Sequence, residues 1–220
     1  MPDEIHPPTP NHTPKTAIQV DRPSRGDRAG IVLFMLIGVA IVAVTAYVAA
    51  QRWIELLGAG PVEVAARFVD TTAEVPIGPA GASVSVELDR ALVLAPELPV
   101  ASLAAGLLEA AVLLATVTIV VVCLIVVARN ILRGVIFSSA QTRWVSTAAI
   151  TALIGAALVP FFGNMVANGA IALLSDRGFE NTVVLAVEPL PFLLGAFAGS
   201  IVITAFSVGD RLRRETEGLV

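Results

Sequence analysis

The sequence predicts a mainly α-helical membrane protein, a four-transmembrane-helix bundle with a small extracytoplasmic β-hairpin or flap between helices 1 and 2. Three observations predict this fold. The 220 residues are 56% hydrophobic and only 15% charged, whereas soluble domains carry about 25% charged residues. Asp, Glu, Lys and Arg are absent from residues 29–51, 110–128, 144–175 and 189–209. Between the first two of these windows, the periodicity changes from helical to strand-like.

Each charge-free window meets or approaches the length that a membrane-crossing helix needs. A helix rises about 1.5 Å per residue, so about 20 apolar residues cross a hydrocarbon core of about 30 Å. Leu, Ile, Val and Phe each favour insertion by about 0.3–0.6 kcal/mol, whereas a central Arg costs about 2.5–3.5 kcal/mol. We therefore predict helices over about 30–51, 99–128, 144–173 and 189–209, all within one membrane domain that covers residues 29–220.

The segment before the first helix, residues 1–28, is predicted to be a disordered cytoplasmic tail because it is rich in proline. Helix 1 is expected to run outward and to end near Tyr47 and Trp53, which suit the aromatic belt of a membrane interface. Val48-Ala49-Ala50 satisfies the small-residue rule of a signal-peptidase site. The apolar stretch is longer than a signal core and starts late, so we expect helix 1 to stay uncleaved.

The external loop over about 60–96 is predicted to be rich in β-structure. In residues 62–69 every second side chain is apolar and the positions between are mixed, whereas residues 83–89 alternate polar with apolar side chains; both stretches include β-branched residues. The stretch 76–81 between them, Pro-Ile-Gly-Pro-Ala-Gly, is a run of turn formers. A hairpin alone is marginally stable in water, so this flap is expected to rest on other elements.

Helices 2 and 3 are predicted to project beyond the bilayer and to support the flap. Glu109 is the one charged residue from position 98 to 128, and Pro99 suits the opening of a helix. The window 144–175 would reach about 48 Å as one helix, which exceeds the hydrocarbon thickness. Pro160 is expected to kink or break helix 3, since it lacks an amide hydrogen and crowds the preceding turn.

The distribution of basic residues predicts that both termini are cytoplasmic. Basic side chains are concentrated in cytoplasmic loops. Ten of the 14 Lys and Arg residues fall in the N-terminal tail, the loop between helices 2 and 3, and the C-terminal tail. The other four, Arg52, Arg67, Arg90 and Arg177, are spread over longer external loops. The predicted location is therefore the cytoplasmic membrane, crossed four times.

Glu109, Asn164 and Asn168 are the candidates for a polar pocket, because all three lie toward the predicted outer ends of helices 2 and 3. A carboxylate within an apolar run is costly unless it is paired or hydrated, and such residues often mark ligand or ion paths. Two interpretations stay open. The three side chains line a shared pocket under the flap, or Glu109 lies at headgroup depth and reaches water through its own side chain.

Small residues in helices 3 and 4 are candidates for helix packing. Gly195 and Gly199 are spaced by four residues, as are Ala148, Ala152 and Ala156. Such spacing lets helix backbones approach closely in lipid. The pattern indicates packing within the bundle, a self-association face, or a substrate path.

A group of arginines forms a predicted cytoplasmic basic collar. Three interpretations of this collar stay open. It binds anionic lipid, with about 1 kcal/mol per basic residue near the surface. Otherwise it binds a protein partner, or it only determines the topology. Its members are Arg129, Arg133, Arg143, Arg211, Arg213 and Arg214.

The sequence carries no recognisable catalytic motif. No His lies in a predicted span, and neither His-Glu-x-x-His nor Gly-x-Ser-x-Gly occurs. Cys123 is the single cysteine, so an intramolecular disulfide is excluded. We expect no catalytic site, no metal and no cofactor, and no direct contact with nucleic acid.

Two segments have a recognisable pattern. One follows helix 2 and reads Ala128-Arg129-Asn130-Ile131-Leu132-Arg133-Gly134-Val135-Ile136-Phe137-Ser138. The other closes the chain and reads Gly209-Asp210-Arg211-Leu212-Arg213-Arg214-Glu215-Thr216-Glu217-Gly218-Leu219-Val220. Both resemble the bacterial membrane family called domain of unknown function 2975, especially its actinobacterial branch. The resemblance covers about residues 29–220 and implies a bacterial inner membrane. Family members are often encoded beside a short helix-turn-helix regulator, which implies a regulatory or sensory role with a protein partner.

These observations predict a non-enzymatic inner-membrane protein that binds a membrane or cytoplasmic protein partner, or lipid. The alternative is a small transporter or channel subunit with a polar path near Glu109. The sequence predicts no oligomeric state.

Overall fold

Four long helices make up most of the computed structural model, which describes residues 25–133, 138–176 and 189–217. Each helix is long and apolar enough to cross a membrane. The four predicted helices are confirmed, and each runs past its predicted C-terminal end. The predicted tail, 1–28, lies outside the described residues as far as residue 24. The helices are α1 (Arg25–Leu57), α2 (Val100–Leu132), α3 (Ser139–Leu174) and α4 (Pro189–Glu217).

The helices pack in chain order, with the antiparallel pair α2 and α3 at the centre. Gly155 of α3 lies against Thr116 of α2, and a Cβ at this glycine would overlap the threonine side chain. On the other side of α2, Trp53 Nε1 donates a hydrogen bond to the Leu107 carbonyl at 3.2 Å. The substantial helix contacts within the described residues join chain neighbours. The predicted bundle therefore takes the form of a row.

An antiparallel β-ribbon connects α1 to α2. Its strand β1 (Val62–Arg67) pairs with β4 (Arg90–Ala95), and β2 (Thr72–Val75) pairs with β3 (Val84–Glu87). The Phe68 N–H donates to the Asp89 carbonyl between the two pairs, so the ribbon continues from one pair to the next. The sequence predicts strands that correspond to β1 and β3, and the structure adds β2 and β4.

The core of the ribbon lies where β1 contacts α3, and Ala105 of α2 belongs to the same buried cluster. Val62, Val64 and Ala66 are at most 4% exposed, as the alternation in this strand predicts. In β3 the alternation does not lead to burial, because every residue from Val84 to Glu87 keeps part of its surface exposed. The ribbon is therefore anchored by its first strand. The residues that pack with β1 are Leu56, Ala95, Ala105, Val166, Ala167, Ala170 and Ile171.

Helix α3 continues through Pro160 without a break. Proline removes one backbone hydrogen bond, and transmembrane helices tolerate this loss where neighbouring elements support the chain. Here α2 packs along α3, and β1 contacts its C-terminal part. The break that the sequence predicts is therefore wrong, and α3 supports the ribbon as one long helix.

Gln141 joins α2 and α3 at the end of the pair remote from the ribbon, and it is fully buried. Its backbone N–H donates to Ser138 Oγ at 3.2 Å, which caps the start of α3. Its side-chain Nε2 donates to the Val127 carbonyl at 3.5 Å, and its Oε1 accepts from Asn130 Nδ2 at 3.3 Å. A buried amide that is hydrogen-bonded through both of its polar atoms determines the position of α3 along the axis of α2.

We expect Gln141→Ala to lower the free energy of unfolding by about 1–3 kcal/mol, because it leaves buried polar partners without a hydrogen bond. Thermal unfolding of the purified protein in detergent measures this loss. The matched control is Gln51→Ala, since Gln51 is exposed on α1. Equal stability of the two variants contradicts the role given to Gln141.

Candidate ligand-binding cavity

A half-enclosed cavity of about 430 Å³ lies between strand β1 and helices α1, α2 and α3. Most of its walls are apolar, with residues such as Val48, Leu113 and Val166. Concave sites with apolar walls and a few polar groups are the usual form of small-molecule binding sites. The polar residues that line this cavity are Arg52, Arg67, Arg90, Glu109 and Asn164.

Glu109 reaches the cavity from α2 and lies against Gly163 of α3. A Cβ added to Gly163 would come within 2.9 Å of Glu109 Oε1, so the carboxylate packs closely against the α3 backbone there. Arg52 of α1 lies near enough to attract this carboxylate electrostatically. Glu109 is half-buried. The structure therefore places its carboxylate between helices, at the side of the cavity.

Asn164 follows Gly163 and brings an amide to the same cavity. Its Nδ2 is buried and has no hydrogen-bond partner in the described part of the chain. A buried donor without a partner costs about 1–3 kcal/mol, and a bound molecule with an acceptor group removes that cost. Asn168, one helical turn further along α3, is not among the residues that line the cavity.

Two of the lining arginines face each other across the β-ribbon. Arg67 and Arg90 are register partners at the end of the β1–β4 pair. Like charges directly opposite each other destabilise a sheet, and Asp89 Oδ2, which lies 3.6 Å from Arg90 Nε, offsets part of this repulsion. From the sequence alone, Arg67 and Arg90 are predicted only to lie in an external loop. The juxtaposition depends on β4, which the sequence did not predict.

Arg52 is held at the corner between α1 and β1. Its Nη1 donates to Glu55 Oε2 at 2.8 Å and to the Glu63 carbonyl at 2.9 Å. The Glu63 N–H donates in turn to Glu55 Oε1 at 3.1 Å. These bonds connect the end of α1 to the first strand and orient the Arg52 guanidinium beside the cavity.

The predicted small-residue positions line a second cavity of about 450 Å³ between α3 and α4. Ala152 and Ala156 of α3 face Gly195 and Gly199 of α4 across it. An added Cβ at Gly199 would be 3.5 Å from the Ala149 Cβ, whereas nothing lies within 4 Å of one at Gly195. The small residues thus form a groove instead of a tight contact. The third predicted alanine, Ala148, is buried and does not line it.

The predicted basic collar is only partly described. Arg129, Arg133 and Arg143 are exposed near the end of α2 and the start of α3. Arg211 on α4 donates from Nε to Glu215 Oε1 at 2.9 Å. The side chains of Arg213 and Arg214 lie outside the described residues.

No protein-family model, curated protein or solved structure matches the chain. The segments that resemble the domain of unknown function 2975 family include residues 134–137 and 218–220, which lie outside the described residues. Within the described residues, no group of three His, Cys, Asp or Glu side chains is arranged to hold a metal ion. The function is therefore inferred from the cavities and their surroundings.

We expect Gly163→Ala to be less stable than Gly195→Ala by up to about 1 kcal/mol, because the Glu109 carboxylate has to move away from the new methyl group. Gly195→Ala is the matched control, since it adds the same methyl group to a helix where nothing lies within 4 Å. Thermal unfolding of both variants is measured in the wild-type and Glu109→Ala backgrounds. The Gly163→Ala penalty is expected to disappear when Glu109 is truncated, and its persistence rules out the contact as the cause.

Proposed function

We propose that this chain is a multi-pass membrane protein with both ends in the cytoplasm, and that it is a non-enzymatic binding component of a bacterial inner membrane. The cavity under the β-ribbon is its ligand site. The observation that carries the proposal is the convergence of Glu109, Asn164 and three arginines in one apolar-walled cavity. The positions of the polar groups along the helices support the proposed orientation in the membrane.

Polar groups occur at two levels along the helices. Glu109 on α2 lies beside Gly163 on α3, and Asn130 on α2 binds Gln141 on α3. Roughly 20 residues separate the two levels on each helix, or about 30 Å, which is the thickness of a hydrocarbon core. On this basis the cavity lies at the outer membrane interface, and the basic collar lies at the inner one.

The parts of α2 and α3 beyond the cavity level support the same placement. They extend by roughly 10 residues or more, about 15 Å or more, and would carry the ribbon into the aqueous phase outside the cell. The large apolar surfaces of α1 and α4 are left for lipid. In their most apolar stretches of 18 residues, 6% of α1 and 0% of α4 is buried.

The packing below the cavity favours a binding protein over a transporter or channel subunit. Gly155 lies against Thr116, and Cys123 and Val127 are buried further down. A transport path needs polar groups that continue across the membrane. In the described part of α2, the residues from 110 to 128 bring no charge to this interface.

The charges in the cavity indicate the type of ligand. Glu109 offers a carboxylate, whereas Arg67 and Arg90 offer guanidinium groups and Asn164 an amide donor. A small molecule with one cationic and one anionic group satisfies both charges while its apolar part contacts the walls. The resemblance to the domain of unknown function 2975 family supports a regulatory role, in which occupancy is passed to a protein partner.

Cysteine labelling tests the topology. In a Cys123→Ala background, Ser85→Cys places a thiol on the exposed ribbon, and Ser139→Cys places one at the exposed start of α3. A membrane-impermeant maleimide added to intact cells is expected to label Ser85→Cys only, and Ser139→Cys only after permeabilisation. The reverse labelling pattern would show that the orientation is opposite to the one proposed. Labelling of both in intact cells disproves the four-span arrangement.

Thermal-shift screening tests the ligand site. We expect a compound with groups of both charges to stabilise the purified protein by about 2.7 kcal/mol at 100 times its dissociation constant. Glu109→Gln and Asn164→Leu are expected to abolish this stabilisation, and Glu87→Gln on the exposed part of the ribbon is expected to retain it. If the shift survives in both cavity variants, the ligand binds elsewhere. If reconstituted vesicles show specific flux, the transporter alternative replaces this proposal.

A further inference from the structure

The β1–β4 pair crosses the row of helices from the end of α1 to the start of α4. At one end of β1, the Glu63 carbonyl accepts a hydrogen bond from Arg52 of α1 at 2.9 Å. In the middle, the strand packs on α3. At the other end, Arg67 lines the same cavity as Pro191, which lies in the first turn of α4. The ribbon therefore leaves the helices on the α4 side of the row.

The other half of the ribbon, β2 and β3, continues past this crossing at the level of the membrane interface. Arg67 and Pro160 both line the cavity that we place at the outer interface, and both line the cavity that reaches Pro191. Within the described residues, the substantial helix contacts of the ribbon are those of β1 and β4 with α3. The β2–β3 half thus extends beside the start of α4, over the surface that we assign to lipid.

The β2–β3 half has one apolar face and one polar face. Side chains that are directly opposite in an antiparallel ladder lie on the same face, and successive residues alternate between faces. The apolar face carries Ala73, Val75, Val84 and Val86, and the polar face carries Thr72, Glu74, Ser85 and Glu87. The stretch 75–86, which includes the turn, has no charged residue. Ile77 at the turn is 66% exposed.

This division of side chains fits a membrane surface. Neither strand buries a residue, so the apolar face is left without protein cover in the described structure. Amphipathic elements at a bilayer surface bury their apolar face in the boundary between headgroups and acyl chains and keep their charged face in water. Glu74 and Glu87 lie together on the opposite face, where a negatively charged membrane surface does not repel them.

We propose that the β2–β3 half of the ribbon binds the surface of the outer leaflet beside α4. Val75, Ile77 and Val84 enter the boundary between headgroups and acyl chains, and Glu74 and Glu87 face water. The proposal rests on the membrane orientation in the proposed function and does not depend on the small-molecule site. It gives the ribbon a support at each end, with protein under β1 and lipid under β2 and β3.

The test measures the depth of single fluorophores on the full chain in nanodiscs of dioleoylphosphatidylcholine. In a Cys123→Ala background, Ile77→Cys carries the fluorophore at the turn, and Ser85→Cys carries it on the polar face as the matched control. A phosphatidylcholine with a nitroxide near the headgroup end of its acyl chain quenches fluorophores in the boundary, whereas iodide quenches those in water. We expect the lipid nitroxide to quench the Ile77→Cys label about twofold more than the Ser85→Cys label, and iodide to show the reverse order.

A second pair of variants tests whether the apolar side chains hold the ribbon at the lipid. With the fluorophore on Val84→Cys, Ile77→Asp is expected to remove about half or more of the quenching by the lipid nitroxide, because a carboxylate disfavours insertion. Thr72→Asp adds the same carboxylate to the polar face and is expected to leave the quenching unchanged. Equal melting temperatures of the two variants show that the fold is retained.

Three results overturn the proposal. The first is equal lipid quenching of the Ile77→Cys and Ser85→Cys labels. The second is a Val84→Cys label that Ile77→Asp does not move, or that Thr72→Asp moves equally. The third is an Ile77→Cys label that neither quencher reaches, which shows that protein covers the apolar face.

The same measurements separate this proposal from the ligand site. If the Ile77→Cys label lies in lipid and no compound with groups of both charges stabilises the protein, the ligand site is refuted and the lipid contact stands. If such a compound binds and the Ile77→Cys label lies in water, the lipid contact is refuted and the ligand site stands.

Discussion

Burial of one face of β1 against the end of α3 is the contact on which the cavity under the ribbon depends. A two-stranded ribbon is marginally stable alone, and the outer half of this one, β2 and β3, buries no residue. Val62, Val64 and Ala66 supply the apolar surface that holds it. Ala105, Ala167 and Ala170 present small side chains to it, so the strand packs close to the helices. Without this contact, β1 would not form one wall of the cavity.

The same contact determines where the charges of the ribbon lie. Side chains in a strand alternate between faces, so a shift of one residue would bury Glu63 in place of an apolar neighbour. The register that buries Val64 also brings Arg67 opposite Arg90. A pairing of like charges costs stability on its own. Here it is tolerated because the apolar contact one to five residues away determines the register and because Asp89 lies beside Arg90.

The features of the fold that depend on residues close together in the sequence were predictable, and those that depend on distant residues were not. The four helices were predictable because local hydropathy alone decides them, and so was the alternation of β1. The pairing of β1 with β4 was not, because it joins residues 23 to 33 positions apart, which no local pattern specifies. For the same reason Glu109 was recognisable as an unusual charge, whereas the arginines beside it were not. The continuity of α3 at Pro160 depends on packing from α2 and β1, which no local rule contains.

A row of helices leaves more apolar helix surface uncovered by protein than a closed bundle would. In a closed bundle, α1 and α4 would cover each other, and the small residues of α3 and α4 would face a protein interior. Among the described residues, the substantial helix contacts of α1 are with α2 and those of α4 are with α3. The glycines of α4 then open a groove instead of closing a contact, since nothing lies within 4 Å of a Cβ at Gly195. Apolar surface gains little from helix association within lipid. A row with grooves would therefore cost little in a membrane.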